Sequence, residues 1–257
     1  YIEPDHLDFY RDLKHEIKVY QEFVDELPKD GVLIRSTDDY GCQQLKWKGE
    51  TRVFGKESEK MAVGVPGAFN VRNAVAAGMA AALVGVPKPV IERVAAEFRG
   101  IWRRFEKVGE RDGAVIYSDY GHHPTAIRET MKMVRELYPK RRVILVFQPH
   151  QHNRTKNLFT EFVDALSRAP VDVLVLNEIY DVAGREEDKD HDVTSKKLAD
   201  AVLRLVRPGG LAQDGRKVAY TATLDETESW LRANMKKDDV VVIMGAGDID
   251  IVARKLV

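Results

Sequence analysis

Cysteine is nearly absent: the 257 residues carry one, Cys42. A single thiol excludes any disulfide framework within the chain and fits a reducing compartment. Long apolar runs are missing as well. No stretch approaches the ~18 consecutive apolar residues of a membrane span, and no secretory signal pattern is visible. Neither sign of charge is in excess, since 40 Lys and Arg against 41 Asp and Glu leave a formal net charge of -1. No global field therefore points to nucleic acid or to an anionic membrane. The phosphate-cradling run G-x-x-x-x-G-K-[ST] is also missing, and Gly64-Val65-Pro66-Gly67 is not one. If the chain uses ATP, the element that holds the phosphates lies outside it. The first residue is Tyr1 and not Met, which fits a processed or truncated piece.

What is present reads as an ordinary globular α/β protein, 44% hydrophobic and 32% charged. At about 150 residues per domain, the length gives one large or two ordinary domains. Positions 8–27 carry helical spacing, with Phe9, Leu13, Ile17, Tyr20, Phe23 and Val24 on one stripe. Val32–Ser36 reads as a strand. Leu45–Trp47, Arg52–Phe54 and Met61–Val65 read as a meander punctuated by Gly49 and Gly55. Alanine-rich Asn70–Val84 predicts a buried helix and Lys88–Phe98 a second one, with Pro87 and Pro89 at its start.

From about Arg104 the pattern turns regular. A strand pair, Phe105–Val108 and Ala114–Tyr117, leads to a helix over Thr125–Leu137. Strand Val143–Phe147 leads to helix Thr155–Arg168, and strand Val171–Leu176 to helix Thr194–Val206. Strand Lys217–Tyr220 leads to helix Asp225–Asn234, and strand Val240–Met244 to helix Ile249–Leu256. Strands alternating with helices predict a mostly parallel sheet covered on both faces. The uninterrupted apolar run Val240–Met244 suits a central strand. A boundary is expected near 103/104, and the charged stretch Gly184–Asp192 reads as a mobile loop.

Four of the seven histidines fall in two short segments, Ser118–Thr125 and Phe147–Thr155. Each follows a predicted buried strand. In an open α/β sheet, ligands bind beyond the carboxyl ends of the strands, so the two segments read as two walls of one site. His122, His123, His150 and His152 are placed to hydrogen-bond an anion or to take a proton, and a metal site is the rival reading. Helix capping is the bland reading for His122 and His123. Pro124-Thr125 opens a helix whose N-terminus offers N–H groups to an anion. Arg154 suits a carboxylate or phosphate, against a solvated surface arginine. Gly245-Ala246-Gly247-Asp248 looks like the start of a dinucleotide fingerprint but has Asp250 where the third glycine belongs. A tight turn whose backbone approaches a ligand is the stronger reading. Asn70 reads as a helix cap, with Asn73 one turn on, and Arg103-Arg104 as a linker charge pair.

Together these segments resemble the Mur ligases, the ATP-dependent amide-forming enzymes of peptidoglycan synthesis. The family pattern G-x-H-N-x-x-N-A-x-A-A is similar to Gly67–Ala77. R-R-F-[DE] is matched at Arg103–Glu106, D-D-Y-G-H-H-P-T at Ser118–Thr125, and F-Q-P-H-R-Y-[ST]-R-T at Phe147–Thr155. The late G-A-G-[DT]-I is similar to Gly245–Ile249, and the opening Ile2–Asp8 looks like part of the family's central domain. The matches run in order from end to end.

The resemblance implies the remainder of a central ATPase-type α/β domain over 1–103, then a Rossmann-like, mostly parallel sheet domain over 104–257. A UDP-binding first domain and the phosphate loop would be outside the chain. It implies a cytoplasmic ligase joining L-alanine to UDP-N-acetylmuramate through an acyl phosphate. ATP and Mg2+ would take part, the Mg2+ ligands lying mostly outside the chain. It assigns Asn70 and Asn73 to the adenine, and Arg104 and Asp119 to the nucleotide's phosphate and ribose. Tyr120, His122, His123, His150 and Arg154 would face the amino acid and the reacting carboxylate. No residue is assigned to a metal, no nucleic acid or membrane span is implied, and a homodimer is compatible.

The sequence departs from the family at Phe69, where the pattern has histidine, and at Ser118, where it has aspartate. Gln151 and His152 replace Arg-Tyr, which removes one of two expected carboxylate clamps and opens the choice of amine to serine or glycine. A ligase that recycles murein tripeptide is the rival within the family, and a non-catalytic nucleotide-binding module the rival outside it.

Overall fold

The computed structural model describes residues 1–7, 9–56, 60–181, 192–206 and 216–257. The chain divides into two compact units, Tyr1–Arg99 and Gly100–Val257. The division falls four residues before the expected 103/104.

In the first unit, α1 spans Leu13–Asp25, and the Asp12 side chain caps it by accepting the His15 N–H. The expected start at position 8 is therefore too early, because the cap stands at Asp12. Phe9 lies outside the helix and Phe23 is 71% exposed, so only part of the predicted stripe is buried. Strand β1, Val32–Ser36, agrees with the sequence reading. It pairs in parallel with β2, Glu50–Phe54, and between them runs the short helix α2, Tyr40–Gln44.

Of the three strands predicted as a meander, Arg52–Phe54 forms within β2, but its partner is β1 in parallel and no meander forms. Residues Leu45–Trp47 lie against α1 instead: Gln21 both donates to the Lys46 carbonyl and accepts its N–H, and the Trp47 indole donates to Gly31 O. The run at Met61–Val65 stays outside any ladder, and Gly64 N–H bonds the Ala95 carbonyl. A small core gathers Ile2, Val24, Cys42 and Leu45. Burial pushes the Cys42 thiol up.

Helix α3, Ala68–Leu83, starts at the Gly67 cap, where φ is +99°. That backbone conformation suits glycine. The expectation of a buried helix is met only in part; Arg72, Val75 and Gly78 are its buried residues. Helix α4 spans Lys88–Glu97, with Pro89 in its first turn.

The described residues of the second unit form a six-stranded sheet in the order β3-β4-β8-β5-β6-β7. Its strands are β3 Glu106–Arg111, β4 Ala114–Asp119, β5 Val143–Phe147, β6 Val173–Asn177, β7 Lys217–Thr221 and β8 Val240–Met244. Among the described residues only the β3–β4 pairing is antiparallel. Strands β4, β5, β6 and β8 are buried along their length, as parallel strands covered on both faces must be. The helices are α5 Pro124–Leu137, α6 His152–Asn157, α7 Phe159–Arg168, α8 Ser195–Val206, α9 Leu224–Asn234 and α10 Asp250–Leu256. Helices α5, α7 and α8 pack in a row, while α9 and α10 pack together. Leu231, Ile249, Val252 and Leu256 of the α9–α10 side share one core with Ile144, Val175 and Val241 of the sheet.

The single helix predicted over Thr155–Arg168 is two, broken at Leu158, whose φ of -108° and ψ of 23° leave the helical range. The charged stretch expected as a mobile loop lies outside the described residues except for Asp192. Among the described residues no helix is long and apolar enough to cross a membrane.

Candidate active site

Strand β8 runs between β4 and β5, so the loops leaving β4 and β5 flank the turn leaving β8. All three emerge at the carboxyl edge, where α/β sheets bind ligands.

The β4 loop is shaped by Asp119. Its carboxylate accepts the Gly121 N–H at 2.7 Å and the Phe105 N–H at 2.8 Å. Burial pushes this carboxyl above its ordinary value, against the pull of those two N–H groups and of Arg104 and Arg103. Tyr120 N–H bonds the Arg103 carbonyl at 2.7 Å. The Tyr120 ring receives the guanidinium of Arg103 at 5.0 Å and that of exposed Arg104 at 5.5 Å. His122 stands edge-on to Tyr120, centroids 5.5 Å apart, and its Nδ1 lies 3.0 Å from the Tyr120 carbonyl oxygen. His123 takes the capping position of α5, its Nδ1 accepting the Thr125 N–H at 3.3 Å. Pro124 follows at the first helical position, where its missing N–H costs nothing.

The β5 loop is laced to the exit of β6. Tyr180 N–H bonds Pro149 O, and Gln151 N–H bonds Tyr180 O at 2.8 Å. This holds Gln151 at a φ of +71°, a region that costs a non-glycine residue. The His150 ring stacks on Tyr180 at 5.7 Å and lies 5.6 Å from His122. Arg154, 4% exposed, donates from Nη1 to His150 Nδ1 at 3.0 Å and to His150 O at 3.2 Å. The surface-arginine reading is thereby excluded. His152 pairs through Nδ1 with Asp181 at 2.9 Å.

The β8 turn is packed against protein. A Cβ on Gly247 would overlap the Tyr180 ring and sit 2.6 Å from Gln148 Oε1. The close approach inferred from the sequence is thus to side chains of the fold. Buried Gln148 donates to Asn177 Oδ1 at 3.0 Å and to Asp248 Oδ1 at 2.9 Å. Arg103 donates from Nη2 to the carbonyls of Gly245 and Gly247. Its reading as half of a linker charge pair is wrong, since the side chain is 7% exposed.

The structure therefore brings Tyr120, His122, His150 and Arg154 together, with Arg104, Asp119, His123 and Gln151 on the same loops. Asn70 and Asn73 belong to the first unit. Asn70 is not the α3 cap; its amide donates to Pro66 O at 2.6 Å, and Asn73 is exposed. Sequence reasoning does not mark Arg103, Tyr180 or the Gln148–Asn177 pair as site-builders, although Arg103 and Gln148 stand inside family motifs. Among the described residues no group of three His, Cys, Asp or Glu side chains is arranged to hold a metal ion. A cleft of about 560 Å³ lined by Thr221, Glu226 and Trp230 lies at the β7 edge, away from these loops.

Residues 103–247 match the family described as Mur ligase, glutamate ligase domain. The chain belongs to the Mur ligase family. It is 33% identical to the UDP-N-acetylmuramate–L-alanine ligase of Lachnospira eligens, across 96% of this chain and 58% of that protein. The Nitratidesulfovibrio vulgaris enzyme of the same name is 32% identical, across 100% of this chain and 60% of its own length. The crystal structure of the UDP-N-acetylmuramate–alanine ligase of Thermotoga maritima superposes with a TM-score of 0.71 at 21% identity, covering 99% of this chain and 56% of that one. At that identity the superposition speaks for the Mur ligase fold alone. The chain spans about three fifths of the length of the curated relatives it matches.

Proposed function

We propose that this chain is the carboxyl-terminal part of a UDP-N-acetylmuramate–L-alanine ligase. The observation that carries the reading is the family motif pair realised in space: His122 and His150, from separate loops, lie 5.6 Å apart beside buried Arg154. The name borne by relatives 32–33% identical along nearly the whole chain supports the same substrates.

In this reading ATP phosphorylates the muramoyl carboxylate, the amine of L-alanine attacks the acyl phosphate, and phosphate leaves the tetrahedral intermediate. Donors must stand where the oxyanion develops, and Tyr120, His122, His150 and Arg154 are assigned to the side that holds the amino acid and the reacting carboxylate. Exposed Arg104 is assigned to a nucleotide phosphate. Asp119 is assigned to the ribose, although both its oxygens already hold backbone N–H groups. His123 serves first as the α5 cap, and Gln151 borders the amino-acid side. Asn70 and Asn73, on the first unit, are assigned to the adenine. Mg2+ would accompany ATP and neutralise phosphate charge, and none of the residues named here is assigned to hold it.

The test is phosphate release from ATP that requires both UDP-N-acetylmuramate and L-alanine. It is run on the complete encoded protein and on this chain alone. Release by the complete protein and none by the chain is expected, because the chain has no G-x-x-x-x-G-K-[ST] run. A complete protein that turns over a murein tripeptide in preference to L-alanine belongs with the recycling ligases. One that turns over neither amine overturns the reading.

A further inference from the structure

His122 and His150 each commit Nδ1 to a neighbour, but the two neighbours make opposite demands. The Tyr120 carbonyl oxygen, 3.0 Å from His122 Nδ1, can only accept, so that nitrogen carries a proton. The Arg154 guanidinium, 3.0 Å from His150 Nδ1, can only donate, so that nitrogen is bare. The same Nη1 also reaches His150 O at 3.2 Å and pins the ring to its own backbone.

We propose that the two histidines are held in opposite tautomers, His122 as Nδ1–H and His150 as Nε2–H. One ring then offers a proton acceptor at Nε2 and the other a donor at Nε2. Arg154 is the positioning residue that fixes His150. Among the described contacts, the charged and titratable groups facing the pair include Arg154 from α6, Tyr180 beyond β6, and Tyr120, which itself lies under Arg103 and Arg104.

Resting on the ligase reading, the pair divides the proton work. His122 Nε2 takes a proton from the amino acid's ammonium group. A new N–H bond forms on the ring, the ammonium N–H bond breaks, and the electron pair stays on the amine that attacks. His150 Nε2–H donates to an oxygen on which charge develops. Neighbouring groups pushed into different protonation roles by their surroundings mark acid and base assignments.

Nitrogen-15 NMR of the histidine-labelled chain reads the tautomers directly. It is recorded well above the ordinary histidine value of about 6.5, so that both rings are neutral, with H122N and H150N for assignment. The expected spectrum places the proton on Nδ1 in His122 and on Nε2 in His150. His122 is diagnostic, because Nε2–H is the more populated form of a free histidine. In R154M, His150 is expected to lose its single tautomer and average between the two while His122 stays unchanged. A His122 protonated on Nε2, or a His150 protonated on Nδ1, overturns the proposal, and the wild-type spectrum decides this even if R154M does not fold. An R154M spectrum unchanged at His150 overturns the role of Arg154. The spectrum needs no substrate, so its outcome is independent of whether the ligase assay succeeds.

Discussion

Arg103 Nη2 lies 2.9 Å from the carbonyl oxygen of Gly247, and the same nitrogen donates to Gly245. One buried guanidinium thereby ties the start of the second unit to the β8 turn, while its face covers Tyr120 in the β4 loop. Losing it would strand two carbonyls and release the ring. Hydrogen bonds to charged groups contribute about 1.5–3 kcal/mol each. R103M is therefore expected to destabilise the second unit by roughly 2–4 kcal/mol, and R103K, with one donor nitrogen, by less. Urea unfolding followed through the second unit's Trp230 checks this. Equal midpoints for wild type and R103M would contradict it.

The Gly247–Tyr180 contact leads to a second expectation. A methyl group at 247 has no room beside the Tyr180 ring and Gln148 Oε1. G247A is expected to cost about 1–3 kcal/mol through overpacking and to unstack Tyr180 from His150. Adding Y180A makes room, so the double variant should be more stable than the sum of the single losses implies. Neighbours in contact couple in this way, and strict additivity in denaturant midpoints would disprove the contact.

Much of this arrangement was legible before the fold was known, and the reasons are local. Strands β5 and β8 are unbroken apolar runs, and both were placed residue for residue because burial on two faces needs no alternation. The two histidine loops were legible because each directly follows a buried strand, β4 or β5. The role of Arg103 was not legible: its carbonyl partners lie 142 and 144 residues away, and an Arg-Arg pair at a domain boundary reads as linker charge. The Leu158 break was hidden because residues 155–168 keep helical spacing across it. The false meander had strand-like residues, but Gln21 and Gly31 had already claimed the backbone and indole groups of Lys46 and Trp47.

Glu106 supplies a pH dependence. Its carboxylate takes two bonds from Arg254, at 2.9 and 2.6 Å, and one from the Arg103 N–H. The bonds from Arg254 hold its carboxyl below the ordinary value. A lowered folded-state value means the unfolded chain binds the proton more readily. The contribution is then complete above the unfolded value of about 4.3 and is lost as pH falls through the lower folded value. E106Q removes the titration. The wild-type denaturation midpoint should fall more steeply than that of E106Q below about pH 4.3. Parallel acid limbs for the two proteins would exclude the role.

Gln151 stands where the family pattern has arginine, at a φ of +71° fixed by the Tyr180 carbonyl. The backbone strain there is already carried by a non-glycine side chain, so arginine can replace glutamine without new backbone cost. If the ligase reading holds, Q151R in the complete protein restores a second cation for the amino acid's carboxylate. A charge-assisted contact made equally before and during the reaction lowers KM and leaves kcat unchanged. At about 1.4 kcal/mol, a modest value for a charge-assisted hydrogen bond, KM for L-alanine should drop roughly tenfold. KM for ATP should not move, because the same reading assigns position 151 to the amino acid. The decisive measurement is the pair of KM values in wild type and Q151R. A fall in kcat with no change in the alanine KM would place residue 151 away from the amino acid.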